Sequence, residues 1–295
     1  MRRFFLFLGL ALIILIAGFY FFILKHEVRS AGFLNWMTPD DTYSLEADVS
    51  FGDHARDRID YYTSTQSDES RPLLVFIHGG GWHRGDKSMY EFFAEGLTAQ
   101  GYDVALPNYR LHPEIDYPDF LNDNARAIAT IQKKFPSRYL VLIGHSAGGY
   151  NALMMGFKPE YLQNEGVEPC YTIRGIVSLA APVGVVPVTD EPYITLFPER
   201  MQGDDSVLNN LSAAVPPLFL VNGEHDDTVS HLNAVKLGDA LAARNIATVK
   251  TYPGIDHIDP VSHFSTRGFL EGEIKADVIK FIENLPEDEG DGFCR

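Results

Sequence analysis

The sequence predicts an α/β fold with a mostly parallel sheet, and two observations lead to this prediction. Short β-rich runs alternate with helical patterns from about residue 45 to the C-terminus. Several of these runs are nearly continuous in aliphatic residues, as expected of strands that are covered on both faces. The β-rich runs are EADVSF, RIDYYT, PLLVFI, DVALP, YLVLIG, GIVSL, PLFLV and TVKTY. The helical candidates between them include SMYEFFAEGLTAQG, FLNDNARAIATIQKKF and HLNAVKLGDALAARN.

The composition sets limits on organisation and function. The 295 residues are 45% hydrophobic and 22% charged, which is ordinary for a globular protein. We predict one folded domain over residues 46–295, without internal repeats. The formal net charge of −16 argues against nucleic-acid binding, which requires a basic surface. The oligomeric state is left open.

The N-terminus predicts a membrane anchor in residues 1–30, followed by a linker over residues 31–45. Residues 4–24 carry no charge, and at about 1.5 Å per residue they would span about 31 Å, the thickness of a bilayer core. A secretory signal has a shorter apolar region of about 7–15 residues. Cleavage after Gly32 remains the alternative, and it would yield a secreted protein.

The charges that flank this span predict its orientation. Arg2 and Arg3 precede it, while Lys25 and Arg29 follow it together with Glu27. Positive charge favours the cytoplasmic side, so the folded domain is expected on the exported, periplasmic or extracellular side of a single-pass membrane protein.

Three glycines follow the third β-rich run, in FIHGGGW. Such a loop exposes bare backbone N–H groups where side chains would block a ligand. Further along the chain, Gly144-His145-Ser146-Ala147-Gly148 matches G-x-S-x-G between a β-rich run and a small-residue helix start. In this context the serine is a nucleophile on a strained strand-to-helix turn. We interpret His145 as a supporting residue, because adjacent residues on such a turn point apart.

A serine nucleophile requires hydrogen-bond donors of the kind that the glycine loop offers. A serine that attacks a carbonyl group creates an oxyanion, which needs hydrogen-bond donors aimed at it. In the α/β-hydrolase arrangement one donor is the N–H of the residue after the nucleophile, here Ala147, and the other comes from an HGGG-type loop. We therefore predict that Gly80, Gly81 and Ala147 form the oxyanion hole. Trp82, next to this loop, is predicted to contact the substrate.

Several ordered motifs resemble a known family. HGGGW followed by RGDK, then NYRLHPEIDYP and GHSAGG, is similar to the hormone-sensitive-lipase-like and kynurenine-formamidase-like esterases. The resemblance covers roughly residues 45–285. It implies an α/β-hydrolase fold with an eight-stranded, mostly parallel sheet flanked by helices.

The family resemblance also implies the other two members of a catalytic triad. The order along the chain is serine, acid, histidine. The pattern G-x-x-D-x-x-V in NGEHDDTV places the acid at Asp226, with Asp227 and Glu224 as alternatives. His257 follows the last β-rich run and matches the position of the general base, whereas His263 lies further along.

These residues predict a membrane-anchored serine hydrolase that cleaves short-chain or compact aryl esters through an acyl-enzyme. The turn-rich segment around residues 181–214 is interpreted as a lid or pocket wall. Amide hydrolysis, of the arylformamidase or exopeptidase type, and a non-catalytic anchored binding module are the alternatives. No cofactor is expected, and His83, Asp86 and His225 are not spaced as a metal site. The two cysteines, Cys170 and Cys294, leave a disulfide open.

Overall fold

The computed structural model describes residues 27–184, 191–198, 203, 205–211, 213–267, 272–287 and 292–294. The predicted membrane span, residues 4–24, lies outside these ranges. Within the described ranges, no helix has both the length and the apolar character needed to cross a bilayer.

Eight strands form one sheet in the order β1-β2-β4-β3-β5-β6-β7-β8. Five neighbouring pairs are parallel, while β1 with β2 and β2 with β4 are antiparallel. The predicted eight-stranded, mostly parallel sheet is therefore confirmed, its two antiparallel pairs make it a mixed sheet, and each β-rich run corresponds to one strand. The strands are β1 (Tyr43–Ser50), β2 (Arg58–Ser64), β3 (Leu73–Ile77), β4 (Val104–Pro107), β5 (Leu140–His145), β6 (Ile173–Leu179), β7 (Leu218–Gly223) and β8 (Ala247–Tyr252).

Helices cover both faces of the sheet. Every residue of β3, β4, β5 and β7 is buried, which explains why these strands are nearly continuous in apolar residues. The α-helices are α1 (Glu27–Met37), α2 (Glu91–Thr98), α3 (Asp119–Lys134), α4 (Ala147–Phe157), α5 (Glu160–Asn164), α6 (Pro169–Thr172), α7 (Tyr193–Leu196), α8 (Leu232–Leu241), α9 (Asp259–Ser262) and α10 (Glu273–Glu283).

Alternation along each strand divides the core into two apolar layers. Val75 belongs to one layer, with side chains of α3, α4 and α8. Phe76 belongs to the other, with side chains of α1, α2 and α10. This arrangement leaves the carboxyl ends of the parallel strands open at one edge, where the loops that carry the predicted site residues begin.

Helix α1 occupies much of the segment predicted to be a linker. Its Ala31 and Leu34 are 5% and 2% exposed and join the apolar layer of α2 and α10. Asn35 ties the helix to the start of α2, since its side chain donates to the Ser88 carbonyl and accepts from the Phe92 N–H. The remainder of the segment bends at residues 40–42 and leads into β1, so the folded unit includes α1.

The predicted lid segment, residues 181–214, is described in part. Within it, α7 is followed by Phe197, which is fully buried together with Leu196. The carbonyl of Leu196 accepts a hydrogen bond from the Tyr117 N–H at 2.9 Å. The described part of this segment thus packs onto the loop that precedes α3.

A disulfide joins Cys170 on α6 to Cys294, with a Cα–Cα distance of 5.0 Å. The two cysteines are 124 positions apart, which is why local sequence patterns left their pairing open. The bond is accompanied by a hydrogen bond from the Phe293 N–H to the Cys170 carbonyl. Together these contacts fix the C-terminal segment beside β6.

Candidate active site

Ser146 lies on a sharp turn between β5 and α4. Its φ of 53° and ψ of −120° belong to a strained conformation that a non-glycine residue rarely adopts. The turn is possible because its two flanking glycines lack side chains. A Cβ on Gly144 would lie 2.1 Å from the Gly148 carbonyl oxygen, and one on Gly148 would lie 2.0 Å from the Ile77 carbonyl oxygen. The G-x-S-x-G spacing therefore has a steric cause.

Ser146, His257 and Asp226 form a continuous hydrogen-bonded chain. The distance between the Ser146 hydroxyl and His257 Nε2 is 3.0 Å. His257 Nδ1 lies 2.8 Å from Asp226 Oδ2. This geometry allows the imidazole to accept the serine proton at Nε2, while the carboxylate holds the proton on Nδ1.

The loop after β7 fixes the Asp226 carboxylate. Its side chain is fully buried, and its Oδ1 accepts hydrogen bonds from the N–H groups of Thr228 and Val229 at 2.9 and 2.7 Å. Asp227 and Glu224 are both exposed, and Glu224 accepts instead from the Thr251 hydroxyl. Among the three candidate acids, Asp226 is the one in contact with the imidazole.

The loop after β8 holds His257 and is joined to the acid loop. His225 donates its N–H to the Ile255 carbonyl and accepts at Nδ1 from the Gly254 N–H. His263 follows the short helix α9, and it is His257 that contacts both Ser146 and Asp226. These cross-links set the distance between the acid and the base.

His145 contacts the base without being part of the triad. Its Nε2 donates to the backbone carbonyl of His257 at 2.8 Å, and the two rings lie 4.9 Å apart. The His145 side chain is fully buried, and this burial lowers its pKa to about 3. The imidazole is therefore neutral near pH 7.

The glycine loop passes directly beside the serine. A Cβ on Gly79 would lie 3.2 Å from the Ser146 Cβ. Gly80 and Gly81 have φ angles of 115° and 58°, which favour glycine. Within the described residues, no acceptor is hydrogen-bonded to the N–H of Gly80 or Gly81, whereas the Gly80 carbonyl accepts from Arg84. Ala147, with its N–H at the start of α4, follows the serine directly.

His78 supports this loop from inside the protein. Its Nδ1 donates to the Gly79 carbonyl at 2.7 Å, and its ring stacks on Tyr109 at 4.4 Å between centroids. The Tyr109 hydroxyl donates back to the His78 carbonyl. Burial lowers the pKa of His78 to about 4, so this imidazole is also neutral. Tyr109 belongs to the YRL-x-P motif, and this contact gives the motif a structural role.

Trp82 lies in an aromatic cluster next to the glycine loop. The side chain is 3% exposed, and its indole N–H donates to the Asn151 side chain at 2.9 Å. Its ring packs edge-on against Tyr193 and Phe197 from the predicted lid segment. A Cβ on Gly81 would lie 2.8 Å from the Tyr193 hydroxyl, so Tyr193 is next to the candidate oxyanion hole.

The sequence did not predict the contacts that His78, His145 and Tyr193 make in this site, although it indicated a supporting role for His145. The HGGG and GHSAG motifs contain both histidines, so adjacency to functional residues was the available signal. For Tyr193 no local pattern indicated a contact with a loop more than one hundred positions earlier. Among the described residues, no cluster of histidine, cysteine and carboxylate side chains could hold a metal ion.

Comparison with known proteins identifies the family of the chain. The BD-FAE family model matches residues 59–241, which is more than half of the chain. An isoprenylcysteine alpha-carbonyl methylesterase from Arabidopsis thaliana is 23% identical, covering 84% of this chain and 63% of its own length. A kynurenine formamidase from Drosophila melanogaster is 22% identical and covers 78% of both chains.

The fold is also found among solved structures. Esterase B from Lactobacillus rhamnosis superposes with a TM-score of 0.73 at 18% identity, covering 86% of this chain and 90% of that one. At this identity the likeness concerns the fold. The chain spans about three fifths of the length of the first curated relatives it matches.

Proposed function

Because the chain belongs to the BD-FAE family within the α/β-hydrolase esterase superfamily, we propose that it is a serine hydrolase that cleaves carboxylic esters. The observation that supports this most directly is the pair of contacts from His257 to Ser146 and Asp226, at 3.0 and 2.8 Å. A histidine in contact with one serine or one carboxylate on a protein surface is common. A nucleophile, a base and a buried acid in series are typical of enzymes that transfer acyl groups.

The first half of the proposed reaction forms an acyl-enzyme. The Ser146 hydroxyl oxygen attacks the ester carbonyl carbon, while His257 Nε2 takes the hydroxyl proton. The carbonyl oxygen becomes an oxyanion and accepts hydrogen bonds from the N–H groups of Gly80, Gly81 and Ala147. When this intermediate collapses, the bond to the leaving alkoxide breaks and His257 returns the proton to it, which releases the alcohol.

The second half releases the acid. A water molecule gives a proton to His257 and attacks the acyl carbon, and the same N–H groups bind the second oxyanion. Collapse then breaks the bond to Ser146, and His257 returns the proton to the serine oxygen. Asp226 keeps the imidazole in the required tautomer and stabilises its cationic form through both halves.

The proposed substrates are short-chain or compact aryl esters. The described part of the predicted lid segment supports this, because Phe197 is fully buried against Trp82 and fills space beside the glycine loop. We assign Trp82 to the wall of the acyl pocket through this cluster. Tyr193, next to Gly81, limits the size of the group bound at the oxyanion side.

Amide hydrolysis is the second candidate activity. The same residues would act on an amide, with His257 protonating the amine as it leaves. One specific observation favours it: the match to a kynurenine formamidase covers 78% of each of the two chains. A non-catalytic binding role is disfavoured, because it would not require the strained Ser146 backbone or the buried Asp226 carboxylate.

We also propose a single-pass membrane protein with its domain on the exported side. The uncharged residues 4–24 and the preceding Arg2 and Arg3 support this. The Cys170–Cys294 disulfide supports it independently, because such bonds persist in oxidising compartments. The alternative is a secreted domain after cleavage of the N-terminal segment.

The experiment that tests the activity combines labelling with a substrate panel. A fluorophosphonate probe should attach to Ser146, and the chain should hydrolyse 4-nitrophenyl acetate or butyrate faster than an N-formyl arylamine. Ser146→Ala should abolish both labelling and turnover. Ser262→Ala, at a buried serine on α9, should retain both. Labelling at another residue, or turnover that survives in Ser146→Ala, would overturn the assignment.

A further inference from the structure

Helix α1 presents an exposed tryptophan to its surroundings, next to a half-buried phenylalanine. Trp36 is 79% exposed, well above Tyr171 at 55%, the next of the large apolar side chains that the structure describes. The Phe33 ring lies 6.0 Å from the Trp36 ring. A Cβ placed on Gly32 of the same helix would meet nothing within 4 Å. Single exposed apolar residues are ordinary on protein surfaces, but a tryptophan that is this exposed and directly follows an apolar span of bilayer length is a candidate contact surface.

The opposite face of α1 is fixed to the domain, so the aromatic pair cannot turn inward. Ala31 and Leu34 are buried there. The Asn35 side chain makes two hydrogen bonds, to the Ser88 carbonyl at 2.7 Å and from the Phe92 N–H at 3.1 Å. The orientation of Phe33 and Trp36 relative to the sheet is therefore set by specific contacts.

The sequence indicates what covers this face. Phe33 and Trp36 are three positions apart, which makes them neighbours on one side of the helix, and Arg29 precedes them in the sequence. The uncharged residues 4–24 end only a few positions before α1 begins. Tryptophan and a neighbouring basic residue are typical of the boundary between lipid headgroups and hydrocarbon.

We propose that α1 is a membrane-interface helix, with Trp36 inserted at the boundary between headgroups and acyl chains of the bilayer that residues 4–24 enter. The lipid surface is a zwitterionic one. A chain with a net charge of −16 gains no general attraction to anionic lipids, so Trp36 supplies the contact.

The position of α1 gives this contact a consequence for substrate choice. Ser88, to which Asn35 is bonded, follows the glycine loop after β3, and Phe92 lies in the first turn of α2. Helix α1 therefore lies at the end of the sheet that carries Ser146. A domain held to the membrane at this end has its site near the bilayer surface. If the proposed function holds, the substrates are esters that dissolve in the bilayer.

Tryptophan fluorescence tests the surface directly, because the chain contains only Trp36 and the buried Trp82. The full-length chain is reconstituted in phosphatidylcholine vesicles with and without bromine on the acyl chains, which quenches only at contact. We expect brominated lipid to quench most of the Trp36 emission and aqueous iodide to quench little of it. Trp36→Phe should leave only the lipid-insensitive emission of Trp82.

Every other pattern of quenching would overturn the proposal. Quenching by iodide but not by lipid would place Trp36 in water. Protection from both quenchers would mean that protein covers it. Protection that is lost on diluting the protein across more vesicles would identify a second copy of the chain, and protection that persists would identify the N-terminal segment itself.

An activity comparison separates this inference from the proposed function. Trp36→Ser is compared with Tyr171→Ser, an exposed aromatic on α6 just before β6, at the other end of the sheet. Both variants should hydrolyse a water-soluble 4-nitrophenyl ester at the parent rate. Only Trp36→Ser should be several-fold slower on a long-chain ester dissolved in vesicles. An inactive parent would refute the proposed function, whereas equal rates for both variants on the vesicle substrate would refute the role of Trp36.

Discussion

His145 donates a hydrogen bond from Nε2 to the backbone carbonyl of His257, at 2.8 Å, and thereby links the nucleophile turn to the loop of the proposed base. The carbonyl can only accept, so His145 carries its proton on Nε2. Burial lowers the His145 pKa to about 3 and keeps the ring neutral. This neutrality matters because the His257 ring, 4.9 Å away, becomes positively charged during the proposed reaction.

We predict that His145→Ala lowers kcat with little change in KM, because the His257 ring loses its positioning contact while the substrate pocket is unchanged. His145→Gln, whose amide can still donate, should recover part of the loss. The measurement is steady-state kinetics with a 4-nitrophenyl ester, together with the pH profile of kcat. A parent-like kcat in His145→Ala, or a change confined to KM, would contradict the positioning role.

The acid of the triad can be tested with two adjacent residues. Asp226→Asn should reduce the rate constant by about 10⁴-fold, the scale seen when a comparable triad is left with the wrong imidazole tautomer. Asp227→Asn should be close to the parent, because that side chain is exposed and Asp226 makes the contact with His257. Matched unfolding curves for both variants provide the control. A larger loss in Asp227→Asn would mean that the acid is misassigned.

The sequence was sufficient to predict the strands and the residues that meet at the site. Strands such as β3 and β5 are buried on both faces, so unbroken apolar runs identify them without knowledge of their neighbours. The turn at Ser146 is equally local, because Gly144 and Gly148 are required within one motif. The strained turn and the order of the three residues along the chain predicted that Ser146, Asp226 and His257 meet, and the structure contains both contacts. The catalytic role of the three residues stays a prediction.

Features that depend on distant contacts could not be predicted. Helix α1 is held by hydrogen bonds to Ser88 and Phe92, which are 53 and 57 positions from Asn35. Its own sequence resembles a linker, because only a narrow strip of the helix is apolar and buried. The contact between His145 and His257 spans 112 positions and runs to a backbone carbonyl, which leaves no trace in side-chain patterns.

Two buried histidines predict how stability depends on pH. Burial lowers the pKa of His78 to about 4 and that of His145 to about 3, from ordinary values near 6.5. Below pH 6.5 the unfolded chain protonates these rings while the folded chain does not, so the unfolded state binds more protons and stability falls with falling pH. The stabilisation is fully present above pH 6.5 and is lost toward pH 3 to 4.

The free energy of unfolding should therefore decrease between pH 6.5 and 5, with each histidine contributing up to about 1.4 kcal/mol per pH unit. Glu95 opposes this trend, because burial raises the pKa of its carboxyl and the folded chain therefore binds its proton more readily than the unfolded chain. Urea unfolding at several pH values measures the slope. His145→Gln should flatten it, whereas His225→Gln, at an exposed histidine, should not. An equal slope in all three proteins would contradict this account.

Truncation distinguishes the predicted membrane anchor from the helix that follows it. The full chain should stay with membranes after an alkaline wash, because residues 4–24 carry no charge over a bilayer length. A chain that begins at residue 27 keeps α1 and should be released as an active enzyme, since no site residue lies before β3.

A chain that begins at residue 38 loses the buried Leu34 and the two hydrogen bonds of Asn35. We expect this shorter chain to be destabilised by at least about 2 kcal/mol, from the lost apolar burial alone. Equal unfolding midpoints for the two truncated chains would show that α1 is dispensable for the fold, and a full-length chain that is removed by the wash would contradict the anchor.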